Sequence, residues 1–324
     1  MKWQHFIKIN LFIMNNKNLY QEITKTIVEM LETQLEKWNM PWICLDQNGE
    51  SAHNAMTHNT YNGINQLLLS FMTYKNGYQK NSWLTFNQIT KMGGKVIKGC
   101  KSVPIYFWSI LYYQNESIIP EDVIKMMSQE EYNNRGIKKV SLLKYFPVFN
   151  ISQTEGLAQE FYFVKEKLVL SAPEMDARAE QFIKETGAEI HYKAGDRAFY
   201  SPSNDSIVLP FREQFKSKTA FYDTILHELG HWTGHPKRMN RELHNKFGSE
   251  NYAFEELVAE LFSAFTCSHL GINKTMTNNA SYIKNWIEAL NNDHKYIFKA
   301  SKLAENALKQ LESMIASKKE RVEV

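Results

Sequence analysis

The sequence predicts an α+β protein of two domains, on three observations. A length of 324 residues exceeds one typical domain. Helix-period segments stand at both ends, with strand-like runs between them. The charge balance also changes sign midway: residues 1–153 carry 16 Lys and Arg against 11 Asp and Glu, a net of +5, and residues 154–324 carry 22 against 24, a net of −2. Hydrophobic residues make up 43% and charged residues 23%, an ordinary globular composition with material for a core. The expected boundaries are a dispensable extension at 1–14, with Met14 as an alternative start, a first domain at 15–153, a linker at 154–172 and a second domain at 173–318.

The elements follow in chain order. Residues 20–38 read as an amphipathic helix, with Ile23, Ile27, Leu31 and Leu35 at steps of four. Residues 59–63 are turn-like, and 63–74 suit a second helix. Residues 86–92 suit a short third helix, closed by Gly93 and Gly94. The aromatic and β-branched run 103–113 predicts a buried strand, and 144–151 another. Between them, 119–136 is polar and reads as a surface insertion. A helix is expected over 175–185, then two short strands, 197–200 and 206–209, around the turn Ser201-Pro202-Ser203-Asn204-Asp205. Helices are expected at about 220–233, 251–270, 281–290 and 294–318; the last carries Ile297, Ala304, Leu308, Leu311 and Ile315 on one side.

Three cysteines, Cys44, Cys100 and Cys267, are far apart and form no CxxC pair. That argues against a disulfide framework or a Cys-rich zinc ribbon and fits a reducing, cytoplasmic compartment. No run approaches the roughly 18 apolar residues of a membrane span.

Charge is unevenly placed within the first domain. No Asp or Glu occurs from Ser51 to Asn115, whereas Lys75, Lys80, Lys91, Lys95, Lys98 and Lys101 all do. Tyr74, Tyr78, Trp83, Phe86, Tyr106, Phe107 and Trp108 are interleaved with them. Lysines for phosphates and ring faces for unstacked bases are what single-stranded nucleic acid requires. The six lysines and Trp83 are therefore the candidate DNA-binding residues. The ordinary alternative is that the aromatics are core and the lysines a solvated rim.

The second domain carries the sharper signal. His227-Glu228-Leu229-Gly230-His231 is an HExxH motif. Residues four apart lie one helical turn apart, so both imidazoles reach one ion from the same face. Ile225, Leu229 and Trp232 make an apolar stripe on another side, which lets the helix pack while presenting its ligands. A third histidine ten positions after the first is excluded, because Lys237 stands there; His235 follows Gly234 and precedes Pro236, which turn the chain away. Glu256 and Glu260 remain. They stand one turn apart in an apolar helix where unpaired carboxylates repel and are costly to bury. A cation relieves both problems. Glu256 then completes a His₂Glu set of the gluzincin type, and Glu260 orients a ligand imidazole from behind; the reverse assignment, or a plain solvated acidic face, stays open. Glu255 is expected to point elsewhere. The expected cofactor is one Zn²⁺ per chain. The ion would activate water and polarise a carbonyl, while Glu228 takes the water proton and passes it to a leaving amine. The hairpin before the motif offers an edge strand for an extended peptide, and Tyr252, His244 and Tyr200 are candidates to stabilise an oxyanion.

These residues carry a resemblance. Arg197-Ala198-Phe199-Tyr200-Ser201-Pro202, His227-Glu228-Leu229-Gly230-His231-Trp232-Thr233-Gly234-His235 and Glu255-Glu256-Leu257-Val258-Ala259-Glu260-Leu261 look like the zincin-like metallopeptidase domain of ArdC-type antirestriction proteins. Trp83-Leu84-Thr85-Phe86, Gly93-Gly94, Lys98-Gly99, Val148-Phe149-Asn150 and Gln153-Thr154-Glu155-Gly156-Leu157 are similar to that family's single-stranded DNA-binding domain. The chain departs at Cys100, where an acidic residue is common, and at the inserted 114–139 segment. The resemblance implies protection of incoming mobile-element DNA from host restriction. The expected partners are single-stranded DNA and a protein substrate or restriction component, with no membrane. The other readings are a zinc protease acting on DNA-bound proteins and a DNA-binding protein whose metal only braces the fold; the general base Glu228 argues against the last.

Overall fold

The computed structural model describes residues 20–33, 43, 45–46, 50–115, 117–163, 172–243, 249–272 and 280–322. The expected extension 1–14, the end of the first helix past 33, and His244 lie outside these residues.

Helix α1 (20–33) buries Ile23, Ile27 and Leu31, as the four-residue period predicts. After β1 (His53–Asn54), α2 (Ile64–Asn76) runs between two glycines that need positive φ. Gly77, at φ 65, donates its N–H back to the last turn as a left-handed cap. β2 (Ser82–Thr85) leads into α3 (Phe86–Lys91) through a capping box. Thr85 Oγ1 accepts from the Gln88 N–H at 3.3 Å, and Gln88 Oε1 accepts from the Thr85 N–H at 2.9 Å. β3 (Lys95–Val96), β4 (Val103–Gln114), β5 (Ser117–Ile119), α4 (Glu121–Met126), α5 (Gln129–Asn134) and β6 (Lys138–Asn150) complete the first half.

The sheet order is β1-β2-β6-β4-β5, with β1 parallel to β2 and the other pairs antiparallel. β6 starts at Lys138 rather than at 144, because it pairs with β4 continuously from Val103↔Val148 to Tyr113↔Lys138. The two lysines at its start read as part of the polar insertion; strand pairing overrode that local signal. The insertion itself holds α4 and α5.

Residues 154–162 are not a free connection. β7 (Thr154–Glu155) pairs with β3, α6 (Gln159–Tyr162) follows, and Leu157 is buried with Leu84, Ile89 and Ile151. A Cβ on Gly94 would lie 2.5 Å from Leu157 Cδ2, so that glycine admits the leucine. Residues 164–171 lie outside the described residues.

The second half begins with α7 (Ala172–Thr186) and a three-stranded sheet of β8 (Glu189–Lys193), β9 (Phe199–Ser201) and β10 (Ser206–Pro210) in the order β8-β10-β9. β9 and β10 are the expected hairpin. β8, parallel to β10, was not expected, because its outward residues hide the strand pattern. Four helices follow: α8 (Lys218–Thr233), α9 (Glu250–Leu270), α10 (Ala280–Asn292) and α11 (Tyr296–Val322).

The halves share one apolar core. Ile23 and Ile27 of α1, Leu67 and Phe71 of α2, Leu257 and Phe262 of α9 and Ile297 and Leu311 of α11 belong to the same buried cluster. Thr24 Oγ1 donates to the His294 carbonyl at 3.0 Å, and the Tyr20 ring meets Phe298 edge-on. Helix α1, the first among the described residues, therefore packs on α11. No helix among the described residues is long and apolar enough to cross a membrane.

Candidate metal centre and nucleic-acid surface

The metal centre is built where α8 crosses α9. Ser217 caps α8 and Ser249 caps α9, each accepting from a backbone N–H of the first turn. The crossing is close because Gly230 lacks a side chain: a Cβ there would lie 2.8 Å from Ala259 Cα and 3.0 Å from its carbonyl oxygen. Ala259 sits between Glu256 and Glu260, so this approach draws their carboxylates up to the imidazoles. The motif reading gave Gly230 no role; the small–small packing is visible only once the helices meet.

His227 Nε2 and His231 Nε2 are 3.2 Å apart, and the two oxygens of Glu256 face them at 3.4 and 3.5 Å. One donor atom from each residue lies within 4.8 Å of the others. Behind the imidazoles, Glu260 Oε2 is 3.3 Å from His227 Nδ1, and Glu255 Oε1 is 3.2 Å from His231 Nδ1. Glu255 thus does not point elsewhere, which corrects the sequence expectation. Arg241 holds it with two hydrogen bonds of 2.7 and 2.9 Å, and also donates to the Gly230 carbonyl and to Thr233 Oγ1. The expectation considered one face of α9, whereas that helix is buried on several, and the 235–243 loop supplies Arg241 on the side Glu255 faces.

The site is electrostatically poised for a cation. Burial alone would lower the imidazole pKa values, but hydrogen bonds to Glu256 and Glu260 raise His227 to about 9, and those to Glu255 and Glu256 raise His231 to about 10. Burial would raise Glu256, but the two imidazoles beside it hold its carboxyl far below the usual range. A set of two imidazoles and a carboxylate, partly buried and held from behind, fits a divalent ion of the zinc type.

A cleft of about 330 Å³ opens over these residues, lined also by Glu228, Phe199, Tyr200, Tyr252 and Tyr282. Glu228 is buried beside both histidines. β9 lies at the edge of its sheet along this cleft. Of the hydroxyl candidates, Tyr200 donates to Asp205 at 2.9 Å, and Asp205 is itself clamped by Arg238. Tyr252 instead meets Tyr282 at 3.3 Å within the cleft, and burial raises its pKa.

The expected DNA-binding residues differ in exposure and in partners. Trp83 is 0% exposed, and its Nε1 donates to Asn81 Oδ1 at 2.9 Å, so it cannot stack on a base. Lys75 is paired with Glu29 of α1, and Lys95 with Glu155 of β7 at 3.2 Å. Lys80 Nζ donates to the carbonyls of Phe161 and Phe163 at 2.9 and 3.2 Å. A stretch without acids in sequence is therefore not without acids in space, since neighbouring elements supply them. Lys91, Lys98 and Lys101 are exposed.

Comparisons with known proteins agree with this division. Residues 17–149 match the N-terminal domain of anti-restriction factor ArdC, and residues 177–303 match a zincin-like metallopeptidase family. A DNA primase TraC of Escherichia coli is 34% identical over 315 residues, covering 93% of this chain and 21% of that protein. A second protein of the same name is 35% identical and 26% covered, so the chain spans only about a fifth to a quarter of these curated relatives. The protein y4eC of Sinorhizobium fredii is 29% identical, with 89% of each chain covered. The metal-free crystal structure of the antirestriction ArdC protein from the R388 plasmid superposes with a TM-score of 0.70 at 30% identity, covering 92% of this chain and 98% of that one. Its Mn(II)-bound structure gives 0.68 at 29%. With both halves matched in order and nearly the whole of that solved chain covered, this protein belongs to the ArdC-type antirestriction family.

Proposed function

We propose that the protein is an antirestriction factor that binds single-stranded DNA and uses a zinc-dependent peptidase site to protect incoming mobile-element DNA from host restriction. The observation that carries the peptidase part is the convergence of His227, His231 and Glu256, with Glu228 buried beside them in an open cleft. A site that only braced a fold would need no such carboxylate and would favour four protein ligands.

In this reading His227, His231 and Glu256 hold Zn²⁺, which supplies Lewis acidity toward a water and a peptide carbonyl. Glu260 and Glu255 fix the ligand rings, and Arg241 holds Glu255. Glu228 accepts the proton of the attacking water and returns it to the leaving amine nitrogen. The edge of β9 pairs with the extended peptide. Tyr252, which shares a hydrogen bond with Tyr282 in the cleft, is the hydroxyl proposed to turn toward the carbonyl oxygen, whereas Tyr200 gives its proton to the Asp205 carboxylate. The proposed division is a DNA-binding unit up to about residue 163 and a peptidase unit from about 172.

Glu228→Gln tests this. It should keep the metal and the fold while lowering protein cleavage by about 10²–10⁴-fold, the usual worth of a positioned base. Cleavage at the parent rate would refute the peptidase mechanism. Abolished cleavage with DNA protection intact would leave a protease acting on DNA-bound proteins.

A further inference from the structure

β4 and β6 pair far beyond the sheet's covered base, and the face of the ribbon they make there carries rings and lysines that neither the core nor the metal centre uses. The register fixes which residues share that face. Paired residues lie on one side of an antiparallel sheet and alternate along each strand. Phe107 opposite Lys144 and Tyr113 opposite Lys138 are therefore on the same side, together with Phe146. Phe107 is 47% exposed and Phe146 46%, and their rings meet edge to face at 5.7 Å. Two phenylalanines half in water at a strand pair cost solvation and add little packing, so something else is expected to cover them.

Charge narrows what covers them. Lys138 and Lys144 are exposed and, among the described residues, in no ion pair, unlike Lys75 and Lys95. No position that alternates onto this face from either strand is acidic. The opposite face differs: Tyr106 there feels Glu22, and Tyr112 packs on Tyr132 of α5, which brings Glu130 and Glu131. From the Phe107 level to the Tyr113 level is six residues, or roughly 20 Å at about 3.3 Å per residue. An acid-free track with Phe107 and Phe146 beside Lys144 at one end and Lys138 at the other complements a chain of phosphates carrying splayed bases. A duplex hides its base faces and cannot use the rings.

We infer that this face of the β4–β6 ribbon, carried by Phe107, Phe146, Lys144 and Lys138, is the platform for single-stranded DNA. The inference rests on the proposal that the protein binds single strands, and adds where. Bases stack on the two phenylalanines, and the lysines take the flanking phosphates. Lys91, Lys98 and Lys101, near the base of the sheet, are peripheral.

The test is a salt titration of full-length protein binding to a labelled oligothymidylate. Phe107→Leu/Phe146→Leu keeps the apolar bulk but removes the ring faces. It should weaken binding by at least about 5-fold, the lower end for removal of one stacked base, with the salt slope unchanged. Lys138→Gln/Lys144→Gln should flatten the slope of log affinity against log salt by about 0.7 for each phosphate that is no longer neutralised. Lys91→Gln/Lys98→Gln/Lys101→Gln should bind within about 2-fold of the parent. Circular dichroism checks that each variant folds; should the phenylalanine pair fail, the lysine pair decides alone. A parent that binds and ribbon variants that match it would overturn the platform and leave the ribbon to a protein partner. A parent that binds no single strand would overturn the functional proposal as well.

Discussion

The metal centre and the N-terminal sheet differ in how their chemistry is assembled. At the centre, two histidines one turn apart on α8 meet three glutamates on α9. Each imidazole nitrogen has a named partner, and both helices are packed into the shared core. In the N-terminal half the lysines and rings lie on separate elements, two of the lysines paired with acids from elsewhere and one ring fully buried. A metal site must be preorganised to within a fraction of an ångström, which ties it to a rigid helix pair and to a short motif. A surface for flexible nucleic acid needs only charge and ring faces along a track, which many sequences supply. One is a local arrangement that can be read directly; the other is a sum over a surface.

Deleting a ligand is the strongest way to break that contrast. His227→Ala or His231→Ala should take bound zinc from the proposed one per chain to near none by elemental analysis, because each removes one of the three proposed protein ligands. Undiminished zinc in either variant would mean that the ion is held elsewhere. Single-strand binding should be unaffected in both, if the halves act independently.

The next effect is on folding, in the other half. Trp83→Ala should cost about 3–5 kcal/mol by chemical denaturation, as for other large-to-alanine changes in cores, and Trp83→Phe much less. A folded Trp83→Ala variant with parent stability and weakened DNA binding would return Trp83 to the nucleic-acid surface.

Removing a carboxylate behind the ligands should do less. Glu260→Gln and Glu255→Gln should each weaken metal binding by about 10–100-fold, measured by competition with a chelating dye. Glu256→Ala should exceed both. Equal weakening in Glu256→Ala and Glu260→Ala would leave the third ligand undecided between them.

Acidity probes the same carboxylates more gently. In metal-free protein the folded-state pKa values of His227 and His231, about 9 and about 10, exceed the ordinary imidazole value of about 6.5. The protonated pair therefore stabilises the metal-free fold fully below pH about 6.5, and that contribution is lost as pH rises through 9 to 10. Metal competes with those protons, so affinity should rise with pH over the same window. With both imidazoles protonated at neutral pH, each Nε2 facing its own Glu256 oxygen, calorimetry in buffers of different ionisation heat should find on the order of two protons released per ion. Release of none would show that the imidazoles are already neutral.

The smallest effect is local. Thr85→Ala removes one arm of the α3 capping box and should cost about 1 kcal/mol with metal content unchanged; a drop in metal would show the halves coupled more tightly than their shared core requires.

The amino-acid sequence by itself determined the α+β class, the helices of the second half, the β9–β10 hairpin and the pairing of His227 and His231. Each follows from neighbours within one or two turns of the chain, through period, turn chemistry or i,i+4 spacing. It also narrowed the third position to Glu256 and Glu260. Tertiary structure decided everything that depends on what an element meets. It set which carboxylate faces the Nε2 atoms, turned Glu255 inward to Arg241, and made Gly230 the point of close approach to Ala259. It sent helix α1 onto α11, and gave Lys75 and Lys95 their acidic partners. The physical reason is range: hydrophobic period and capping act through adjacent turns, whereas burial and ion pairing depend on residues brought together from distant parts of the chain.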